Sequence, residues 1–232
     1  MNPHPGPLPE GEGIRDPFTN PDELFDVLDA AGRPTGRVKR RADVHRDGDW
    51  HRAFHCWVLN SAEPGGPSLL FQRRGAHKDT WPSRLDVTVG GHYAHGETLQ
   101  DVVREVEEEI GRSVSLDQLM RLGTRAAVSE PADGTQDHEI QDVFLWRSDA
   151  PLAAYRPQPV EVTSLERVAV ADLLALLGGE TDRIAARVLQ PDGTQHDGWV
   201  REDDLIPTLD RYFYRVAVAA DLAARGYAHL VV

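Results

Sequence analysis

The sequence contains a single cysteine, Cys56, among its 232 residues. This excludes a disulfide-stapled secreted domain and favours a reducing compartment, so we expect a cytoplasmic protein. The sequence also lacks any uncharged apolar run near the roughly 18 residues that a membrane span needs. Its N-terminus lacks the basic-then-apolar order of a signal peptide. We therefore expect a soluble protein with no membrane partner.

Positive charge is scarce as well. Lys and Arg number 25 against 38 Asp and Glu, the formal net charge is −13, and the isoelectric point is near 5.1. Basic residues form no continuous stripe that could follow a phosphate backbone, so we expect no nucleic-acid partner. An anionic substrate would need local positive charge to offset this acidity.

Large apolar residues are nearly absent from the first 22 positions, which are rich in Pro and Gly. Such a segment cannot offset its own ordering entropy, so residues 1–22 are predicted to be a disordered tail. The remaining length favours a single domain over residues 23–232. We expect its core over about 24–170 and a C-terminal helical completion over 171–232, a region without a motif of its own.

The hydrophobic pattern predicts strands in most of the first half of the chain and a mixture of elements after it. Predicted strands cover a hairpin within 24–38, then 51–60, 68–74, 85–90, 121–128, 138–147 and 160–168. Predicted helices cover 98–110, 170–179 and 203–225, the last one ended by Gly226. The result is an α+β protein, with a mixed sheet flanked by helices rather than a regular βαβ alternation.

The segment GGHYAHGETLQDVVREVEEEIG, residues 90–111, places five glutamates behind a glycine-histidine loop. At about 100° per helical residue, Glu105, Glu108 and Glu109 gather within an arc of about 100°, opposite an apolar stripe. Like charges at this spacing repel unless a cation lies among them, and carboxylate oxygens are preferred ligands of Mg²⁺. Arg104 could orient one carboxylate. A solvated acidic face is the alternative interpretation.

This segment resembles the Nudix box: Gly, five residues, Glu, seven residues, then Arg-Glu-apolar-x-Glu-Glu-x-Gly-apolar. The matching residues are Gly91, Glu97, Arg104, Glu105, Val106, Glu108, Glu109 and Gly111. The sequence departs from the pattern twice, because only six residues separate Glu97 from Arg104 and because Arg112 occupies the last apolar position. We expect Glu97 to reach Arg104 from a shifted position, in a structural contact. The resemblance implies a Nudix-type α/β/α sandwich with a mixed β-sheet.

Residues 24–170 further resemble the Nudix proteins related to type 1 isopentenyl-diphosphate isomerase. The shared stretches are LFDVLDAAGRPTG, VHRDGDWHRAFHCWVLN, QRRGAHKDTWPSRLDVTVGGH and HEIQDVF. The isomerases protonate their substrate with a cysteine just before the Gly-His of the loop, where this sequence has Gly90. Cys56 lies in a predicted strand, a position typical of a buried hydrophobe. The glutamate motif, degraded in the isomerases, is complete here, which favours hydrolysis.

The resemblance implies a metal-dependent hydrolase in which water attacks phosphorus in the diphosphate linkage of a nucleoside diphosphate-X or a similar organic diphosphate. It implies Mg²⁺ or Mn²⁺ as the cofactor, held by Glu105, Glu108 and Glu109. The further implied site residues are Arg104 and Glu139 for catalysis and Arg74 and Lys78 for substrate binding. An isomerase-like enzyme and a non-catalytic nucleotide-binding sensor stay open as alternatives, and a homodimer stays open as the assembly.

A second metal site is predicted from the same resemblance. His45, His51 and His92 resemble three histidines that ligate a metal in the isomerases, and Asp137 and Glu139 fall where that site has two carboxylates. A single histidine of this kind is more often a surface or core residue, but five matched positions favour a site. Imidazole nitrogens combined with carboxylate oxygens suit Zn²⁺ or Mn²⁺ better than Mg²⁺.

Overall fold

The computed structural model describes residues 20–78, 80–130 and 134–232. Nearly all of the predicted tail over 1–22 lies outside these residues. The strands are β1 (Leu24–Leu28), β2 (Pro34–Arg40), β3 (Trp50–Asn60), β4 (Ser68–Arg74), β5 (Leu85–Asp86), β6 (Val89–His92), β7 (Leu119–Ser129), β8 (Asp137–Arg147), β9 (Val162–Ala169), β10 (Ile184–Leu189) and β11 (Gln195–Val200). The α-helices are α1 (Arg41–Asp47), α2 (Leu99–Val102), α3 (Glu105–Ile110), α4 (Val170–Leu177) and α5 (Tyr212–Ala224).

All of these strands belong to one sheet. Its main path runs β11-β10-β9-β4-β3-β1-β2, while β5 pairs with β4, β6 and β8 pair with β3, and β7 pairs with β8. β3 and β8 are parallel, from the pair Trp50 and His138 to the pair Leu59 and Arg147. The other strand pairs among the described residues are antiparallel. The sheet is therefore mixed, as predicted.

Helices cover both faces of the sheet. Because side chains alternate along a strand, Trp57 of β3 faces α4 and α5, whereas Phe54 and Cys56 face α2 and α3. The outcome is an α/β/α sandwich, and the α+β class is confirmed. Cys56 is fully buried, as the sequence predicts for a small hydrophobe at this position. None of the helices in the described ranges is long and apolar enough to cross a membrane.

The single helix predicted over 98–110 is wrong, because the structure divides it into α2 and α3. Between them the backbone bonds are of the tighter i to i+3 type, from Arg104 N to Asp101 O (3.3 Å) and from Val106 N to Val103 O (3.2 Å). The guanidinium of Arg104 reinforces this turn by donating to the carbonyl of Asp101 at 3.0 Å. The strand predicted over 85–90 is likewise divided, into β5 and β6.

The C-terminal region is not solely helical. β10 and β11 form a hairpin that extends the sheet beyond β9, and the Asp192-Gly193 turn between them is a hairpin signal that the sequence carries. The helix predicted over 203–225 begins only at Tyr212. Pro207 explains the late start, because the residue before a proline disfavours helical angles. The predicted end is confirmed by Gly226, which has a φ of 94°.

Candidate active site

β6 lies directly against the glutamate helix α3. A Cβ atom at Gly91 would come within 2.7 Å of Glu105 Cγ, so the absence of a side chain lets this glutamate lie over the strand. The neighbouring Gly90 donates its N–H to Glu109 Oε2 at 3.3 Å. Gly90 and Gly91 therefore let α3 pack closely against β6, and they contact two of the predicted metal ligands, Glu109 and Glu105.

Arg104 contacts three glutamates. Its Nη1 donates to Glu97 Oε1 at 2.5 Å, its Nη2 lies 3.2 Å from Glu105 Oε1, and its Nε lies 3.6 Å from Glu108 Oε1. Glu97 also accepts the backbone N–H of Ala94 at 2.9 Å. The predicted contact between Glu97 and Arg104 is confirmed, and the shortened loop closes around it.

Glu105, Glu108 and Glu109 line one cleft of about 570 Å³. Glu109 is 3% exposed, whereas the side chain of Glu108 is 57% exposed. Burial raises the pKa of Glu105 to about 7 against the opposing charge of Arg104. Burial, together with the charges of Glu161 and Glu105, raises the pKa of Glu109 well above its usual range. Glu105 and Glu109 therefore hold a proton more readily than an ordinary carboxyl group unless a cation compensates their charge.

The two predicted substrate-binding cations also line this cleft. Arg74 Nη1 lies 3.1 Å from Asp86 Oδ2 and donates through Nη2 to Thr80 Oγ1 at 2.9 Å. Lys78 Nζ donates to Glu161 Oε2 at 3.0 Å. Sequence reasoning placed Glu161 in the strand predicted over 160–168 and gave it no role, whereas in the structure it lies just before β9. Each cation already contacts an acidic partner that a phosphate could replace.

The predicted second constellation comes together in the structure. Ligand atoms of His45, His51, His92 and Asp137 lie within 4.8 Å of one another, and this is the metal-capable cluster found among the described residues. His51 Nε2 and His45 Nε2 are 3.5 Å and 3.7 Å from Asp137 Oδ1. Glu139, the fifth predicted ligand, lies beside this histidine cluster and accepts a hydrogen bond from His92 Nε2 at 2.8 Å.

Four elements position the histidine cluster. His51 on β3 is level with Glu139 on the parallel strand β8, and β6 carries His92. His45 comes from α1, a short helix that the sequence pattern did not predict. Phe25 of β1 stacks on His51, with 5.3 Å between the ring centroids, and closes the cluster on one side.

The electrostatics of the histidine cluster favour neutral imidazoles. Burial lowers the pKa of His45 to about 2 and that of His92 to about 3, and the positive charge of Arg41 acts in the same direction. Burial and the charge of Glu139 raise the pKa of Asp137 well above its usual range. Oδ1 of Asp137 is buried without a hydrogen-bond partner among the described residues. Neutral imidazoles around an unpaired oxygen suit a bound cation.

A smaller cavity of about 120 Å³ lies between the histidine cluster and the C-terminal region. It shares Arg41, Arg74 and the segment 90–92 with the glutamate cleft, so the two spaces adjoin at β6. Pro207 and Tyr212 form part of its wall. Sequence reasoning assigned no role to these residues, because nothing in their own segment marks them as part of a site.

The comparison with protein families agrees with this geometry, since the chain matches the NUDIX domain over residues 49–189. The chain belongs to the Nudix family. This Nudix protein is similar to an uncharacterised Nudix hydrolase of Clostridium acetobutylicum, with 30% identity over 203 residues that cover 86% of this chain and 97% of that protein. It is also 35% identical to an isopentenyl-diphosphate Delta-isomerase of Brevibacterium linens over 154 residues, which cover 65% of this chain and 79% of the isomerase.

Among solved structures, a crystal structure of a Deinococcus radiodurans protein matches this Nudix protein with a TM-score of 0.50 and 24% identity. The match covers 68% of this chain and 90% of the other, and it supports the fold. Membership of the family and relatives named Nudix hydrolase support hydrolase activity, and diphosphate hydrolysis is the general Nudix reaction. Because relatives of both names match, the choice between hydrolase and isomerase depends on the residues of the site.

Proposed function

We propose that this protein is a metal-dependent Nudix hydrolase that cleaves the diphosphate linkage of a nucleoside diphosphate-X or a similar organic diphosphate by attack of water on phosphorus. The observation that carries the proposal is the complete glutamate set. Glu105, Glu108 and Glu109 line the same cleft as Arg74 and Lys78, so acidic and basic groups face one space.

The cleft offers the oxygen donors that Mg²⁺ or Mn²⁺ prefers. Such an ion would neutralise diphosphate oxygens and lower the pKa of the attacking water. Glu109 is oriented by the N–H of Gly90 and by Gln72 Nε2, both 3.3 Å from its Oε2. Arg104 holds Glu105 at 3.2 Å. The raised pKa values of both carboxyl groups support a site that ionises together with cation binding.

Arg74 and Lys78 are proposed to bind the phosphates. Charge-assisted hydrogen bonds from a guanidinium or ammonium group to phosphate are strong, and both groups lie on the cleft wall. A bound diphosphate would replace Asp86 as the partner of Arg74 and Glu161 as the partner of Lys78. The net charge of −13 makes this local positive charge necessary for an anionic substrate.

The histidine cluster is proposed to bind a transition metal, Zn²⁺ or Mn²⁺. Its close ligand atoms and the unpaired oxygen of Asp137 support this proposal. His92 at present accepts from Arg41 Nη1 at Nδ1 (2.7 Å) and donates to Glu139 at Nε2. For Nε2 to bind a metal, its hydrogen would have to move to Nδ1, which would end the bond from Arg41. Nε2 and the freed oxygen of Glu139 would then join His45, His51 and Asp137 in the five-residue set.

An isomerase is the alternative that some of the relatives suggest by their names. Gly90 occupies the position of the cysteine that protonates the substrate in the isomerases. Cys56 cannot take over this role, because its side chain is buried in the apolar cluster beneath α2 and α3, where burial raises the pKa of the thiol. Incubation with isopentenyl diphosphate should therefore give no dimethylallyl diphosphate. A non-catalytic sensor is disfavoured by the complete glutamate set.

A panel of organic diphosphates with Mg²⁺ or Mn²⁺, scored by release of phosphate and mononucleotide, tests the hydrolase. Glu108→Gln and Glu109→Gln should each lower kcat by about 100-fold or more, because an amide is an uncharged and weaker ligand. Glu107→Gln is the matched control, since Glu107 lies on the same helix and accepts from Ser113 Oγ at 2.9 Å. Unchanged turnover in both ligand variants would overturn the proposal.

Elemental analysis after growth in zinc- and manganese-replete medium tests the second site. The wild type should contain bound metal, and His51→Ala and His92→Ala should lose it. His196→Ala on β11 is the control, because this exposed imidazole lies outside the histidine cluster. A wild type without bound metal, or an equal metal content in wild type and all variants, would contradict the proposed second metal site.

A further inference from the structure

His55 is a buried imidazole that belongs neither to the glutamate set nor to the histidine cluster. It lies on β3, level with Gly90 of β6, and is 7% exposed. Its side chain lines the 120 Å³ cavity. A Cβ atom at Gly90 would lie 3.8 Å from His55 Nε2, so the glycine leaves the space in front of this nitrogen open.

A chain of hydrogen bonds determines which nitrogen of His55 carries the proton. Trp57 Nε1 lies 2.9 Å from the hydroxyl of Tyr212, and an indole N–H can only donate. The Tyr212 hydroxyl therefore accepts from Trp57 and, being 1% exposed, needs an acceptor for its own proton. The acceptor in reach is His55 Nδ1, at 3.1 Å. Nδ1 is then unprotonated, and Nε2 carries the hydrogen.

The resulting Nε2–H has no hydrogen-bond partner among the described residues, and it is not one of their fully buried side-chain atoms, so it is open to the cavity. A donor in this position bonds to water unless a ligand displaces the water, and a ligand that offers no acceptor there leaves the donor unsatisfied at a cost in free energy. Burial also lowers the pKa of His55, so the group facing the cavity is a neutral donor. The cavity is therefore the place where an acceptor for this hydrogen would bind.

Part of the lining of this cavity is polar, although Val128, Ile206 and Phe213 also line it. Arg125 donates to Asp210 and to Gln141, and Gln141 in turn donates to Glu139. The guanidinium carbon of Arg125 lies 4.1 Å from the centroid of the Tyr212 ring. These groups are paired with one another, so the donor that a purely hydrocarbon group would leave without water or an acceptor is the Nε2–H of His55, which costs free energy. The volume of about 120 Å³ is enough for a small oxygen-bearing group.

We propose that His55 is a substrate-binding residue whose Nε2–H donates to an oxygen on the group linked to the diphosphate. The substrate class is then an organic diphosphate with a hydroxyl, carbonyl or ring oxygen within a few atoms of the phosphates, not one with a purely hydrocarbon group. This inference rests on the proposed function, which places the diphosphate itself in the adjoining glutamate cleft. Tyr212 and Trp57 are positioning residues that fix the tautomer.

The tautomer is tested on the wild-type protein by ¹⁵N NMR of its histidine side chains, with the His55 signals assigned from their absence in His55→Gln. We expect a protonated Nε2 and an unprotonated Nδ1. Tyr212→Phe removes the donor to Nδ1 and should shift the His55 signals towards a mixture of tautomers. A wild-type His55 protonated at Nδ1 would overturn the inference without affecting the proposed hydrolysis.

The ligand class is tested with two methylenediphosphonate probes that cannot be hydrolysed, one carrying an isopentyl group and the other a 3-hydroxy-3-methylbutyl group. They differ by a single hydroxyl. Wild type should bind the hydroxylated probe about 10-fold more tightly or better by calorimetry, since a site built around a donor rejects ligands without its acceptor. His55→Leu should abolish this preference, and His55→Gln, which keeps an N–H donor, should retain part of it.

Circular dichroism and the melting temperature confirm that each variant is folded before binding is compared. Equal, tight binding of both probes to wild type would overturn the inference and leave the proposed function standing. A preference that persists in His55→Leu would also overturn it. Binding of neither probe would count against both the diphosphate cleft and the ligand class built on it.

Discussion

At the scale of single residues, the site contains acidic groups in surroundings that disfavour their charge. Glu109 is almost fully buried, and Asp137 has a buried oxygen without a hydrogen bond among the described residues. Carboxyl groups with shifted pKa values cluster at functional sites, where residues needed for the reaction can lower the stability of the fold.

Glu105→Gln tests this cost through the pH dependence of stability. The native pKa of Glu105 is raised to about 7 from an ordinary value of 4.5. Between these values the unfolded chain releases a proton that the native protein keeps, so the free energy of unfolding falls as pH rises through this window. In the presence of a chelator, Glu105→Gln should melt several degrees above wild type at pH 8, with no difference near pH 4.

Glu107→Gln, at an exposed position of the same helix, is the control. Its melting temperature should equal that of wild type at both pH values. Equal melting temperatures of wild type and Glu105→Gln at pH 8 would contradict the buried-charge interpretation.

At the scale of elements, the site depends on how the glycine loop meets the divided helix. Glu97 connects the loop to Arg104, which holds the turn between α2 and α3. The contact lies on the side of the helix that carries Glu105 and Glu108. A brace of this kind positions the metal ligands without being one of them.

Glu97→Gln should therefore lower the melting temperature, because the charge-assisted bond to Arg104 and the tie to the loop are both weakened. Affinity for Mg²⁺ or Mn²⁺ should change little. Thermal denaturation and calorimetric metal titration of the same preparations measure the two effects. Weaker metal binding at an unchanged melting temperature would show that Glu97 is a ligand instead.

Gly91→Ala tests the contact between β6 and α3. The new Cβ would lie 2.7 Å from Glu105 Cγ, so Glu105 must move away from the strand. We expect kcat to fall by at least about 10-fold while the protein stays folded. Gly65→Ala is the matched control, because a Cβ there meets nothing within 4 Å. Full activity of Gly91→Ala would mean that the position of Glu105 is not critical.

At the scale of the whole molecule, the C-terminal region is part of the domain core. α5 buries Tyr212, Phe213 and Val216 against the sheet, and β10 joins β9 in the same sheet. Tyr212 also reaches the cavity beside the histidine cluster. The region both completes the fold and forms one wall of the candidate site.

A chain ending at residue 201 should therefore fail to fold cooperatively, because the sheet face that α5 covers would become exposed to water. Deletion of residues 1–19 is the comparison, and under the tail hypothesis it should leave the melting temperature unchanged. Far-UV circular dichroism and thermal melts of both truncations check this. A soluble, cooperatively melting chain ending at 201 would show that α5 is dispensable.

The sequence by itself determined the family, the fold class and the glutamate set. These features could be predicted because they depend on residues near one another in the chain. Glu105, Glu108 and Glu109 share a helix face through the helical repeat, and the spacing to Gly91 belongs to one loop. The five positions of the second constellation were likewise predicted from short stretches that resemble a known family.

Only the tertiary structure decided which distant residues meet. The pairing of β9 with β4 brings Glu161 to the glutamate cleft. Tyr212 contacts His55 although 157 positions separate them in the chain. Periodicity reports on neighbours within one element, whereas these contacts depend on strand order, register and the docking of α5. The same register places Gly90 opposite His55 and opens the cavity, a consequence of pairing between strands that neither strand's pattern encodes.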